Sequence, residues 1–72
     1  MFDPKIFGQR LLGLRKEEGV TQAQIAKLLD VTPTQISDLE NGKTTTTMAR
    51  LWILCEYFHV SADYLLGRSD QR

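Results

Sequence analysis

The stretch Val31–Lys43, VTPTQISDLENGK, carries the start, the faces and the stop of a short helix. Thr32 is an N-cap residue, and Pro33 occupies the first helical position, where its missing N–H is not needed. Asn41-Gly42 closes the run by offering a residue tolerant of positive φ. Ile36 and Leu39 fall on one side, whereas Thr34, Gln35 and Asp38 leave a polar face on a helix expected over 33–40.

Working outward, Thr21 caps the segment QAQIAKLLD, in which Ile25, Ala26 and Leu29 share a face and the pattern stops near Asp30. A connection of about three residues then forces the two helices to cross steeply. Close crossing needs a small residue, which Ala26 supplies. The turn needs a residue that accepts left-handed backbone angles, which Asp30 supplies. Ile25, Val31, Ile36 and Leu39 are the expected wedge of a helix-turn-helix, although a bare helical hairpin shares this apolar pattern.

The rest of the chain reads as three more helices. Asp3-Pro4 opens a helix of roughly 4–18 with Phe7, Leu11 and Leu14 inward and Gly19 as its stop. Thr47 caps a fourth helix in which Met48, Leu51, Trp52, Cys55 and Phe58 trace one apolar face, ending near His59. Ser61 caps a last helix through Tyr64, Leu65 and Leu66, stopped by Gly67. The expectation is an all-α domain over 1–67, followed by a flexible polar tail, 68–72, that is either a natural end or the start of a linker.

Composition sets limits. The chain has 72 residues, 42% of them apolar and 25% charged, which suits one small core; a domain of this size buries only about 60% of its unfolded surface. No apolar run reaches the ~20 residues of a membrane span and the N-terminus lacks a signal-peptide pattern, so no membrane partner and a cytoplasmic location are expected. One cysteine allows neither an internal disulfide nor a zinc site. Nine basic and nine acidic residues cancel, which removes the usual charge signature of a nucleic-acid binder.

The segments LRKEEGVTQAQIAKLLDVTPTQISDLENGK and YFHVSADYLLG resemble the helix-turn-helix domain of lambda repressor, Cro and the Xre family of bacterial and phage regulators. That resemblance runs from about Ile6 to Gly67 and implies a five-helix DNA-binding domain, usually dimeric, acting on operators. It implies that Gln22 touches phosphate and braces the reading helix, at a helix N-terminus suited to an anion. It also implies that Thr32, Pro33, Thr34, Gln35 and Asp38 read bases or adjoining phosphates, and that Asn41 and Lys43 meet the DNA backbone; the hydroxyl of Thr44 is a further candidate donor to phosphate. Arg15 and Glu40 match a family ion pair linking the first helix to the end of the third.

Departures from the family shape the expectations. Threonines 44–46 stand where many relatives have Lys or Arg, so counterion release and the salt dependence of binding should be small. Pro33 offers only apolar contact to a base. Asp38 accepts from a cytosine amino group and repels misplaced phosphate, narrowing the tolerated sequences.

Bland roles suit most remaining residues: Cys55 as an inert thiol, Trp52 as core, and His59 beside a helix C-terminus. Ile53 points off the expected apolar face and, with Tyr57 and Tyr64, forms a candidate dimer surface. No catalytic constellation, metal set, cofactor motif or small-molecule site is evident, so an enzyme is not expected. The expected function is a sequence-specific regulator that represses as a dimer on double-stranded DNA. An antitoxin-like regulator and a protein-interaction module that has lost DNA reading are the alternatives.

Overall fold

A computed structural model describes all of residues 1–72. Its five helices are α1 (Pro4–Glu18), α2 (Gln22–Leu29), α3 (Pro33–Glu40), α4 (Met48–Phe58) and α5 (Ala62–Leu66). Their boundaries are set locally. The side chains of Asp3, Thr21, Thr32, Thr47 and Ser61 each accept a hydrogen bond from a backbone N–H in the first turn. Each such cap contributes about 1 kcal/mol.

All five C-termini end the same way. Val20, Val31, Lys43, Val60 and Arg68 each return a backbone N–H to the carbonyl five residues earlier, at 2.8–3.1 Å. The residue before each is left-handed: Gly19, Asp30, Gly42, His59 and Gly67. This closure satisfies carbonyls that the last turn leaves free, and it swings the next side chain back over the helix. Val20, Val31 and Val60 thereby pack on the core.

That core joins Phe7, Leu11 and Leu14 of α1, Ile25, Ala26 and Leu29 of α2, Ile36 and Leu39 of α3, Leu54 and Phe58 of α4, and Leu65 of α5. Gly8 decides how close α1 and α3 come. A Cβ there would lie 2.4 Å from the Glu40 carbonyl oxygen and 2.5 Å from that of Leu39.

The expected face of α4 is corrected. The inward face of α4 is Leu51, Leu54 and Phe58, with Leu54 fully buried; Trp52 is 68% exposed and Met48 87% exposed. At 100° per residue, the middle of the pair 48 and 52 lies about 120° around the helix from that of 54 and 58, and the core takes the latter pair. Ile53, expected outside, packs against the core at half burial. Cys55 is half-buried, and burial, with the Glu56 charge second, raises its thiol pKa, keeping it protonated at neutral pH.

Residues 68–72, expected as a polar tail, lie back against α1 and α5. Arg10 donates to the carbonyls of Tyr64 and Ser69 and to Asp70, Ser61 N–H donates to the Arg72 carbonyl, and Arg72 pairs with Glu17. The Tyr64 ring takes Arg10 at 4.4 Å and Arg72 at 5.3 Å. Two guanidiniums seeking carboxylates and an aromatic face give this polar segment its place. The Arg72 hydrogen bond holds the Glu17 carboxyl below its ordinary value. The contact is therefore present above the ordinary carboxylate range and is lost as pH falls through the lowered pKa. Arg72→Ala should return Glu17 to an ordinary titration in an NMR pH series, and an unchanged curve would rule the contact out.

Candidate nucleic-acid interface

The expected reading helix, α3, turns Ile36 and Leu39 inward and leaves Thr34 and Gln35 exposed and Asp38 half-exposed. Its pose is fixed by one carboxylate. Glu40, 7% exposed, accepts from Arg15 Nε at 2.7 Å and Arg15 Nη2 at 3.2 Å, and from Gln22 Nε2 at 2.9 Å. Arg15 also donates to the Val20 carbonyl at 3.1 Å. One buried acid thus ties α1, α2 and α3 together, and every buried polar side-chain atom has a partner.

Hydrogen bonding within the site restricts what some of these residues are free to read. The Gln35 amide oxygen accepts from Thr32 N–H at 2.8 Å, while Thr32 Oγ1 accepts from Gln35 N–H at 3.1 Å. Both side chains serve the capping box. Gln35 therefore offers only its NH₂ donors outward, which suit guanine O6 or a purine N7. Bidentate reading of adenine needs the amide oxygen as well and would release the cap. Asn41 similarly donates one of its N–H bonds to the Ser37 carbonyl. Thr34 makes no side-chain hydrogen bond within the chain, and Lys43 and Thr44 are exposed just past α3.

A groove of about 250 Å³ brings Gln35, Asp38 and Thr44 together with Thr45, Thr46 and Arg50. Arg50, from α4, was not singled out from the sequence. Its Nε donates to the Leu29 carbonyl at the end of α2, at 3.3 Å, which holds the cation beside Asp38. Nothing local marks Arg50, because its neighbours lie on other helices.

Charge is distributed unevenly although it sums to zero. Arg10, Arg15 and Arg72 are neutralised by Asp70, Glu40 and Glu17. Lys5, Lys43 and Arg50 have no ion-pair partner, and all three border α3: a Cβ on Gly42 would meet Lys5 Cγ at 2.8 Å. The three ion pairs remove as many acids as cations, and Asp38 of α3 is itself unpaired, so these cations act beside an acid.

The fold and this site define a helix-turn-helix domain, and comparison with known proteins agrees. The helix-turn-helix family matches residues 12–65. The regulator PrpR of Mycobacterium tuberculosis is 42% identical over 65 residues, covering 90% of this chain and 13% of that protein. A transcriptional regulator from Listeria innocua superposes with a TM-score of 0.82 at 38% identity, covering 85% of this chain and 57% of that one. The c2 repressor of P22, solved with a synthetic operator, superposes with a TM-score of 0.79 at 30% identity, covering 88% of this chain and 96% of the repressor.

The chain belongs to the Xre and lambda-repressor-like helix-turn-helix family of DNA-binding transcription regulators. It spans only about one seventh of the length of PrpR and RamB, the first curated relatives it matches.

Proposed function

We propose that the domain binds operator DNA sequence-specifically with α3 in the major groove, and that it acts as a repressor by occupying a promoter as a homodimer. The observation that carries this reading is the exposed polar face of α3, held in one pose by the Glu40 carboxylate shared between Arg15 and Gln22. Likeness to the operator-bound c2 repressor supports the docking mode. Base reading falls to Thr34, the Gln35 donors and Asp38, with apolar contact from Pro33; Gln22, Thr32, Asn41, Lys43 and Thr44 meet the backbone.

Affinity is limited by charge. Three unpaired cations near α3 correspond to a salt slope of about −3 per domain and about −5 to −6 for a dimer, below that of binders with many phosphate contacts. Footprinting of the upstream DNA, at low and moderate salt, tests the reading: protected half-sites about one helical turn apart are expected. Protection no better than on random DNA in both conditions would sink it. Lys43→Ala and Arg50→Ala should each lower the slope by about 1 without changing sequence preference, while Thr34→Ala should cost about 1–3 kcal/mol of preference at one position.

A protein-interaction module is the second reading, favoured by the commitment of Thr32 and Gln35 to their own backbone. It predicts that Thr34→Ala and Gln35→Ala leave promoter control unchanged.

A further inference from the structure

The loop from α3 to α4 lines two cavities. In one, Thr45 and Thr46 stand with Asp38 and Arg50 in the groove beside the reading helix. In the other, of about 390 Å³, the same two residues and Thr47 meet apolar walls from Phe2, Phe7, Met48, Leu51 and Leu66. Phe2 and Phe7 pack edge to face there, with ring centroids 6.3 Å apart.

We propose that this second cavity binds a small, neutral aromatic molecule carrying one oxygen, and that its occupancy weakens operator binding through Thr45 and Thr46. The coupling rests on the proposed operator binding; the site does not. Size, charge and polarity choose the occupant. The volume falls in the range of about 300–1,000 Å³ that small-molecule sites occupy. No lining residue is charged, so an ion entering would give up hydration without a counter-charge. Phe2 is 43% exposed despite its contact with Phe7, leaving ring surface for a flat ligand to cover.

Polar capacity comes from the loop. Thr47 is committed to capping α4, accepting from Arg50 N–H at 3.1 Å, whereas the hydroxyls of Thr45 and Thr46 have no hydrogen-bond partner in the chain. A hydroxyl that bonds the ligand is withdrawn from the groove where phosphate would sit. Losing one or two such neutral bonds corresponds to about three- to tenfold in operator affinity, and operator DNA must weaken the ligand by the same factor.

The probe is 2-naphthol, which has two fused rings, a hydroxyl and no charge at neutral pH. Amide NMR shifts of the DNA-free protein would be followed during a titration into the low-millimolar range. Saturable binding with a Kd of roughly 0.1–1 mM is expected, with shifts centred on Phe2, Phe7, Leu66 and threonines 45–47. Phe2→Ala, at an exposed position, should keep its circular dichroism and bind about tenfold more weakly. Trp52→Ala, which alters the neighbouring groove on α4, should bind like the parent chain. The carboxylate 2-naphthoate should bind about tenfold more weakly than 2-naphthol. In a second arm, 2-naphthol should weaken binding to the footprinted operator about three- to tenfold in the parent chain and leave Phe2→Ala unchanged.

No saturable shift, or shifts centred on Cys55, Val60 and Ala62, overturns the site. Equal binding of 2-naphthoate overturns the preference for a neutral ligand. Binding at the site with operator affinity unchanged overturns the coupling alone. A chain that binds no operator overturns the coupling together with the functional reading, whereas the titration alone decides the site.

Discussion

Gly8→Ala is expected to lower the melting temperature by about 10–20 °C, while Gly13→Ala, on the same helix, should raise it by a few degrees. The two substitutions add the same methyl group and remove the same backbone freedom, worth about 0.5–1 kcal/mol in favour of alanine. They differ in what the methyl meets. At Gly13 nothing lies within 4 Å, whereas at Gly8 the new carbon would sit 2.4 and 2.5 Å from two carbonyl oxygens of α3. Those atoms belong to backbone, so no rotamer change relieves the overlap and α1 must move away from α3. A clash this close with backbone belongs at the upper end of the overpacking range, about 3 kcal/mol, leaving a net loss of about 2–2.5 kcal/mol, which gives the shift for a domain of this size. Thermal melts of the two variants check it; equal shifts would show that the helices have room to separate.

Glu40→Ala is expected to lose about 3–5 kcal/mol, because it strands a largely buried Arg15 guanidinium and leaves the Gln22 amide without its acceptor. Against a total stability of about 5–10 kcal/mol, this brings the domain close to unfolding. Arg15→Ala should be comparably severe. Replacing both partners with apolar residues, as in Arg15→Met with Glu40→Leu, should recover much of the loss, since burying two charges carries its own desolvation penalty. Denaturant titration of the single and double variants measures this coupling. Recovery of stability need not restore DNA reading: the repacked variant lacks the bridge from α1 and α2 that fixes α3. A double variant that binds operator like the parent would show that α3 is held by the core alone.

The exposed state of Trp52 and the burial of Leu54 show where reading from sequence alone stopped. The segment MARLWILCEYF is apolar at so many positions that its periodicity does not select one face, and a stripe through Met48, Trp52 and Cys55 reads as well as one through Leu51, Leu54 and Phe58. Only the surfaces offered by the other helices decide between them. In α2 and α3 the large apolar residues are few and fall at helical spacing, the stripe is unambiguous, and Ile25, Leu29, Ile36 and Leu39 are buried as expected.

Among the site residues, Arg15 and Glu40 form their ion pair, and Gln22 joins it through Glu40. The family resemblance named these three residues, since spacing in the chain carries no sign of a contact between residues twenty-five apart. Arg50 and Gly8 had no such signal. Gly8 reads as an unremarkable helical glycine until α3 lies across it. The contacts of residues 68–72 had no local signal either, because polar composition describes a segment without neighbours, and Arg10, Tyr64 and Glu17 supply neighbours.

The sequence by itself determined the five helices, their ends and the helix-turn-helix, because caps and left-handed stops act over a few residues. The fold then follows from short connections between well-marked pieces. The tertiary structure alone decided which way α4 faces, how closely α1 approaches α3, which cations stay free around α3, and that Gln35 keeps its oxygen for its own helix. Each of these depends on atoms brought together from distant parts of the chain, where local preference has no influence.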